Sequence, residues 1–205
     1  MEAGAEPIRF EVFFDYSCPY VYRASLLIDS VRRSGRELDV RWRYFSLTQV
    51  NSKDDGWTVW GAPPGEPVRG RLAFAAAEAA RRQHRFDDLH HAMLDARHRD
   101  RQDLDDPHVV ETLATQAGLD VDQLKADIAD PSILDTLASD HRHAVAELGV
   151  FGTPTFVFAA GASAYVRLRA PEESDGSLEV FDRLLAVAAD EPRILEIKRP
   201  RKPVA

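Results

Sequence analysis

The sequence predicts an α/β protein whose small sheet is interrupted by a block of helices. Three observations lead to that reading. Strand-like runs rich in aromatic and β-branched residues fall at residues 8 to 16, 38 to 47, 153 to 160 and 163 to 169. Between the second and third of them, residues 68 to 149 show almost continuous helical periodicity. A last amphipathic stretch at residues 177 to 190 follows the fourth run. The expected order is strand–helix–strand, helical block, strand–strand–helix. The expected domains are a discontinuous α/β unit at 7–67 and 150–192, a helical insertion at 68–149, and a basic tail at 193–205.

The first strand, "IRFEVFFDY", runs into Ser17-Cys18-Pro19. Proline suits the first position of a helix, where its missing N–H would be unpaired in any case. Val21, Ala24, Leu27, Ile28 and Val31 then form one helical stripe, which Gly35 ends. In "LDVRWRYFSL" (38 to 47), Val40, Trp42 and Tyr44 alternate with Arg41 and Arg43, the pattern of a half-buried strand. Residues 50 to 70 carry Gly, Pro and two tryptophans and read as a loop. An Ala-rich helix near 69 to 83 follows, then another at 85 to 99. Asp105-Asp106-Pro107 starts a third that closes at Gly118, and Val121, Leu124 and Ile128 mark a fourth. Pro131 opens a fifth, which ends at Gly149. "TPTFVFAA" and "SAYVRLR", joined through Gly161, read as a hairpin.

The 205 residues, 44% of them hydrophobic, suffice for a core without disulfide staples. A formal charge of −8 argues against a general nucleic-acid binder. The basic run "KRPRKP" at 198 to 203 reads as a solvated end. No stretch has the length of a membrane span, and "MEAGAEPIRF" does not read as a secretory signal. With a single cysteine, a reducing, cytoplasmic location is expected. His90-His91 and His141-x-His143 are spaced too closely to share a helix face, so no metal site is expected. Neither a phosphate-cradling glycine loop nor a Gly-x-Ser-x-Gly elbow occurs.

The chemistry points to Cys18, which sits where a strand turns into a helix. Unpaired N–H groups and the helix dipole favour negative charge at such a terminus. Cysteine pKa values fall from about 8.5 to about 3.5–7.5 in such settings. A thiolate is both the nucleophile and the leaving group of disulfide exchange. Residues three apart share a helix face, so position 21 is where a second thiol would attack, and it holds valine. Dithiol chemistry within one chain is excluded by counting.

Cys18-Pro19 after the first strand, "GVFGTPTFVF" at 149 to 158 and the inserted helices together resemble the DsbA family of the thioredoxin-like superfamily. The resemblance covers nearly the whole chain. It implies a cis Thr153-Pro154 bond whose loop faces Cys18, with Thr153 offering backbone hydrogen bonds to a bound thiol or peptide. The motif departs from the family's Cys-Pro-X-Cys. Its Pro-Tyr step is similar to the Ser-Pro-Tyr of kappa-class glutathione transferases and 2-hydroxychromene-2-carboxylate isomerases. "EPRILEIKRPRK" at 191 to 202 and the tryptophan loop resemble FrnE-like and mycothiol-dependent actinobacterial members.

The resemblance implies a thiol-dependent oxidoreductase working through Cys18 with a low-molecular-weight thiol, mycothiol or glutathione. Its substrate is a small disulfide or electrophile. Two alternatives stand: a kappa-like transferase or isomerase using a bound thiol cofactor, and a non-catalytic binding module. Pro19, Tyr20, Thr153 and Pro154 are the expected supporting residues. Tyr20 either covers the thiol or packs. Trp57 and Trp60 either wall an acceptor pocket or pack between domains. Asp15 reads as a strand-end carboxylate rather than a buried acid tuning the thiol. Related folds often dimerise, which leaves a homodimer open.

Overall fold

A computed structural model describes residues 6–63, 66–159, 161–169 and 176–197. The basic run at 198 to 203 lies outside the described residues. Four strands form the sheet: β1 (Ile8–Phe14), β2 (Leu38–Tyr44), β3 (Thr155–Phe158) and β4 (Ser163–Tyr165). Their order is β2-β1-β3-β4. β2 runs parallel to β1, from Ile8 opposite Leu38 to Phe14 opposite Tyr44. A parallel pair needs a crossover, supplied here by α1 (Pro19–Arg33). β3 is antiparallel to β1, and β4 to β3. The thioredoxin-like order read from the sequence is the order observed.

The expected stripe of α1 is buried in full. The helix closes over Ser34, and Gly35 follows at φ +86°, a left-handed conformation that an L side chain resists. After a short α2 (Leu47–Val50), five longer helices fall between β2 and β3 among the described residues: α3 (Arg71–Arg82), α4 (Phe86–His98), α5 (Pro107–Gln116), α6 (Val121–Ala129) and α7 (Asp135–Ala146). Asp106 accepts a hydrogen bond from the His108 N–H, with Pro107 at the first helical position. Asp120 caps α6 in the same way through Gln123. The last helix, α8 (Ser177–Ala188), returns to α1 and packs Phe181 against Phe10.

Three boundaries differ from the sequence reading. β2 ends at Tyr44 rather than at 47, because Ser46 caps a short helix, α2 (Leu47–Val50), by accepting from the Gln49 N–H. β4 stops at Tyr165 rather than at 169. Its partner strand begins only at Thr155, so one further bond, from the Val166 N–H to the Pro154 carbonyl, ends the pairing. Pro131 opens a 3-10 turn at 131–134, and α7 starts after it.

Alternation along β1 divides the core. Phe10, Val12 and Phe14 face one side with α1, α8 and the Ala-rich α3. Phe13 faces the other, with Phe45, Ala144, Val150 and Val157. Phe14 is the hub: the rings of Tyr16, Trp42, Tyr44, Phe74, Phe86 and His90 all have centroids within 6.4 Å of its own.

β2 is an edge strand, and the helical unit covers it with side chains. Asp140 accepts from the Tyr44 N–H at 3.0 Å, and His141 Nδ1 accepts from the Ser46 N–H at 3.2 Å. Arg81 donates to the Trp42 carbonyl at 3.1 Å. The C-terminal end of an open edge is thereby covered without another strand.

Desolvation lowers the His141 pKa from 6.5 to about 4. The unfolded chain therefore binds a proton there that the folded chain refuses. Stability contributed by neutral His141 is complete above pH 6.5 and falls as the pH drops towards 4. Burial also lowers His90 and His98, in the same direction. Burial raises Asp15 and Asp140, which opposes the loss at the acid end. Urea titrations across this window should show a declining midpoint. The decline should be shallower in His141→Asn, which keeps an acceptor and cannot titrate; equal slopes would refute the assignment.

Candidate active site

The turn from β1 into α1 is built on Asp15, which is buried despite its charge. Its carboxylate accepts from the Ser17 N–H and hydroxyl, both at 2.7 Å, and from the Leu47 N–H at 2.7 Å. Burial raises its pKa, while these donors hold it down. Asp15 thus ties the loop after β1 to the loop after β2. Its carbonyl accepts from the Cys18 N–H at 3.0 Å. The sequence reading of an ordinary strand-end carboxylate understated this residue.

Cys18 is the N-cap of α1, in extended conformation at φ −87° and ψ 114°. Its side chain does not cap the helix. The thiol turns across the sheet and donates to the Thr153 carbonyl at 3.2 Å. The Thr153-Pro154 bond is cis. Residues 135 apart in sequence therefore meet at the sulfur, as the resemblance implied. Cys18 is 6% exposed, which places it just beneath the surface. Pro19 is exposed at the first helical position, Tyr20 half-buried, and Pro154 buried. Thr153 Oγ1 is buried without a hydrogen-bond partner among the described residues. The loop before it is tight: a Cβ on Gly152 would lie 3.2 Å from the Tyr165 ring. Val21 is fully buried within the main core.

The description "DSBA-like thioredoxin domain" matches residues 67–171, half of the chain. The chain belongs to the DsbA-like thioredoxin family. The match runs through the inserted helices and the Pro154 loop, and so does not draw on Cys18. The uncharacterized protein Rv2286c of Mycobacterium tuberculosis is 26% identical over 203 residues, spanning 93% of this chain and 81% of that one. A probable DsbA oxidoreductase of Streptomyces coelicolor shares the fold with a TM-score of 0.63. It is 24% identical, over 96% of this chain and 94% of that one. A thioredoxin-like oxidoreductase of Silicibacter pomeroyi follows at a TM-score of 0.57 and 22% identity, over 88% of each chain.

In this DsbA-like chain the inserted helices grip the cysteine loop through Tyr16. The Tyr16 hydroxyl and His90 Nδ1 share a hydrogen bond of 3.0 Å. His98 Nε2 donates to the Tyr16 carbonyl at 2.9 Å, and its ring stacks on Tyr22. Both histidines lie on α4. Burial keeps His90 neutral and pushes the Tyr16 phenol well above its usual range. His90 Nε2 has no hydrogen-bond partner among the described residues; its ring lies 4.4 Å from that of Trp42 and 4.8 Å from that of Phe14. The sequence reading weighed His90 only as half of a metal pair. Its bond to Tyr16 spans 74 residues, and no local pattern encodes it.

The remaining expected residues divide. Tyr20 lies at the site, with the Arg23 and Arg167 guanidinium carbons each 5.1 Å from its ring centroid. Neither arginine was singled out from the sequence. Trp60 lies instead against His141 and Arg142 of α7, and Trp57 bonds Glu66 through its indole N–H at 3.3 Å. Trp60 thus packs the loop against the helical unit, while the Trp57 bond stays within the loop. A cleft of about 550 Å³ lined by Arg85, Asp88, His91 and Gly118 belongs to the helical unit and includes none of the residues around Cys18.

Removing the hydroxyl in Tyr16→Phe leaves both His90 nitrogens without a partner. A buried polar group so stranded costs about 1–3 kcal/mol, so the urea midpoint should fall accordingly. An unchanged midpoint would mean that this bond does not hold the loop.

Proposed function

We propose that this DsbA-like chain catalyses thiol–disulfide exchange through Cys18 alone. A low-molecular-weight thiol, mycothiol or glutathione, completes each turnover. One observation carries the reading: the Cys18 sulfur meets the cis-proline loop at Thr153, while Val21 fills the place of a second thiol.

The steps follow from the chemistry of sulfur. The Cys18 thiolate attacks one sulfur of a disulfide substrate. A mixed disulfide with Cys18 forms, and the other half of the substrate leaves as a thiolate. Oxidised and reduced sulfur remain in balance throughout. Since Val21 cannot resolve the intermediate, a second small thiol attacks it and restores Cys18. The thiolate form of Cys18 serves both as nucleophile and as leaving group. When a substrate arrives, the thiol gives up its bond to the Thr153 carbonyl. The cis-Pro154 turn keeps that backbone facing the sulfur, and Tyr20 covers one side. A reducing compartment such as the cytoplasm suits a chain that works with one thiol.

Two substitutions test this. Cys18→Ser should abolish exchange measured with a small disulfide and a thiol reductant, and surviving exchange would overturn the proposal. Val21→Cys restores the second thiol at the i+3 position. Under oxidised glutathione it should lose both free thiols to an internal bridge and cease to accumulate the mixed disulfide seen by intact mass in the parent. If the parent never accumulates that adduct, the monothiol route is wrong.

A further inference from the structure

We infer that the rim of the Cys18 site selects carboxylate-bearing disulfides and thiols, recognised by Arg23 and Arg167. The inference rests on Cys18 being the exchanging thiol.

Arg23 lies on the second turn of α1 and Arg167 just beyond β4, so two separate parts of the fold bring their charges to one ring. Both guanidinium groups lie 5.1 Å from the centroid of Tyr20, two residues after Cys18. Each is fastened by one bond. The Arg167 Nε–H donates to the Tyr165 hydroxyl at 2.6 Å, and Arg23 Nη1 donates to the Leu168 carbonyl at 3.1 Å. Neither arginine forms an ion pair with a carboxylate among the described residues, whereas Arg41 and Arg43 of β2, Arg81 and Arg82 of α3 and Arg99 after α4 do. Two like charges gathered around one aromatic ring, neither paired with a carboxylate among the described residues, form a receptor for an anion. In a chain of net charge −8 this local excess of cation runs against the whole.

The ligand is a small molecule with sulfur at one end and a carboxylate a few bonds away. Of the two thiols considered, glutathione carries two carboxylates, and mycothiol, an acetylated cysteinyl amino sugar on inositol, carries none. The pair therefore favours glutathione or another carboxylate-bearing thiol. In the exchange step the sulfur of one glutathione bonds to Cys18 and the second glutathione departs as its thiolate, so no further oxidant is needed.

The test compares the rates at which oxidised glutathione, neutral hydroxyethyl disulfide and cationic cystamine modify Cys18, in the parent chain and in Arg23→Gln and Arg167→Gln. Each substitution should slow oxidised glutathione about tenfold or more, by loss of a charge-assisted bond. Hydroxyethyl disulfide should be unaffected and cystamine no slower. Added salt should reduce the preference of the parent. If the variants slow all three reagents by one factor, the arginines act on the sulfur and not on the substrate, and the inference fails. If each variant reacts like the parent with every reagent, the arginines select nothing and the inference fails while the exchange function stands. If the parent reacts with no disulfide, the exchange function fails as well. Near-UV circular dichroism of the variants, expected to match the parent, separates these outcomes from misfolding.

Discussion

Tyr16 is held at two points by one helix, and the position of the thiol depends on that hold. Its hydroxyl meets His90 and its carbonyl meets His98, two turns further along α4. Cys18 follows two residues later, with its own N–H bound to the Asp15 carbonyl. The strand end is therefore fixed from the helical side by Tyr16 and from the β2 side by Asp15. What is left for Cys18 is a narrow choice of direction, and its sulfur points at Thr153. Insertion and sheet are joined at the reactive centre rather than merely placed side by side.

That junction relies on neutral polar groups in an aromatic surround. His90 sits among Phe14, Trp42 and Phe86, and burial removes its charge. A charged ring there would be costly to bury. A neutral one shares a hydrogen bond and packs as an aromatic. The same holds for His141 at the other end of the insertion, which accepts from Ser46 while its ring packs on Phe45 and Trp60. His90 and His141 thus serve as hydrogen-bonding aromatics.

Much of the fold could be read locally because it is encoded locally. Alternating Phe10, Val12 and Phe14, the Cys18-Pro19 helix start, the stripe of α1 and the Thr153-Pro154 step each announce themselves within a few residues. The α2 helix was also legible, since Ser46 and Gln49 stand at the spacing of a capping pair. The run of strand-forming residues before it concealed the signal. What could not be read were bonds across long separations: Tyr16 to His90, Tyr44 to Asp140, Arg23 to the carbonyl of Leu168. Each joins residues whose neighbours say nothing of the partner. Of the two readings open for Trp60, packing against α7 is the one its contacts with His141 and Arg142 support.

The cover that Asp140 and Arg81 give to β2 bears on how neighbouring molecules can pair. A strand edge matched by another strand can exchange that partner for a neighbouring molecule's strand. Where side chains match the edge, as at the Trp42 carbonyl and the Tyr44 N–H, an incoming strand meets groups already occupied by non-repeating partners. The insertion thus shields the end of the β2 edge from pairing with a neighbouring molecule.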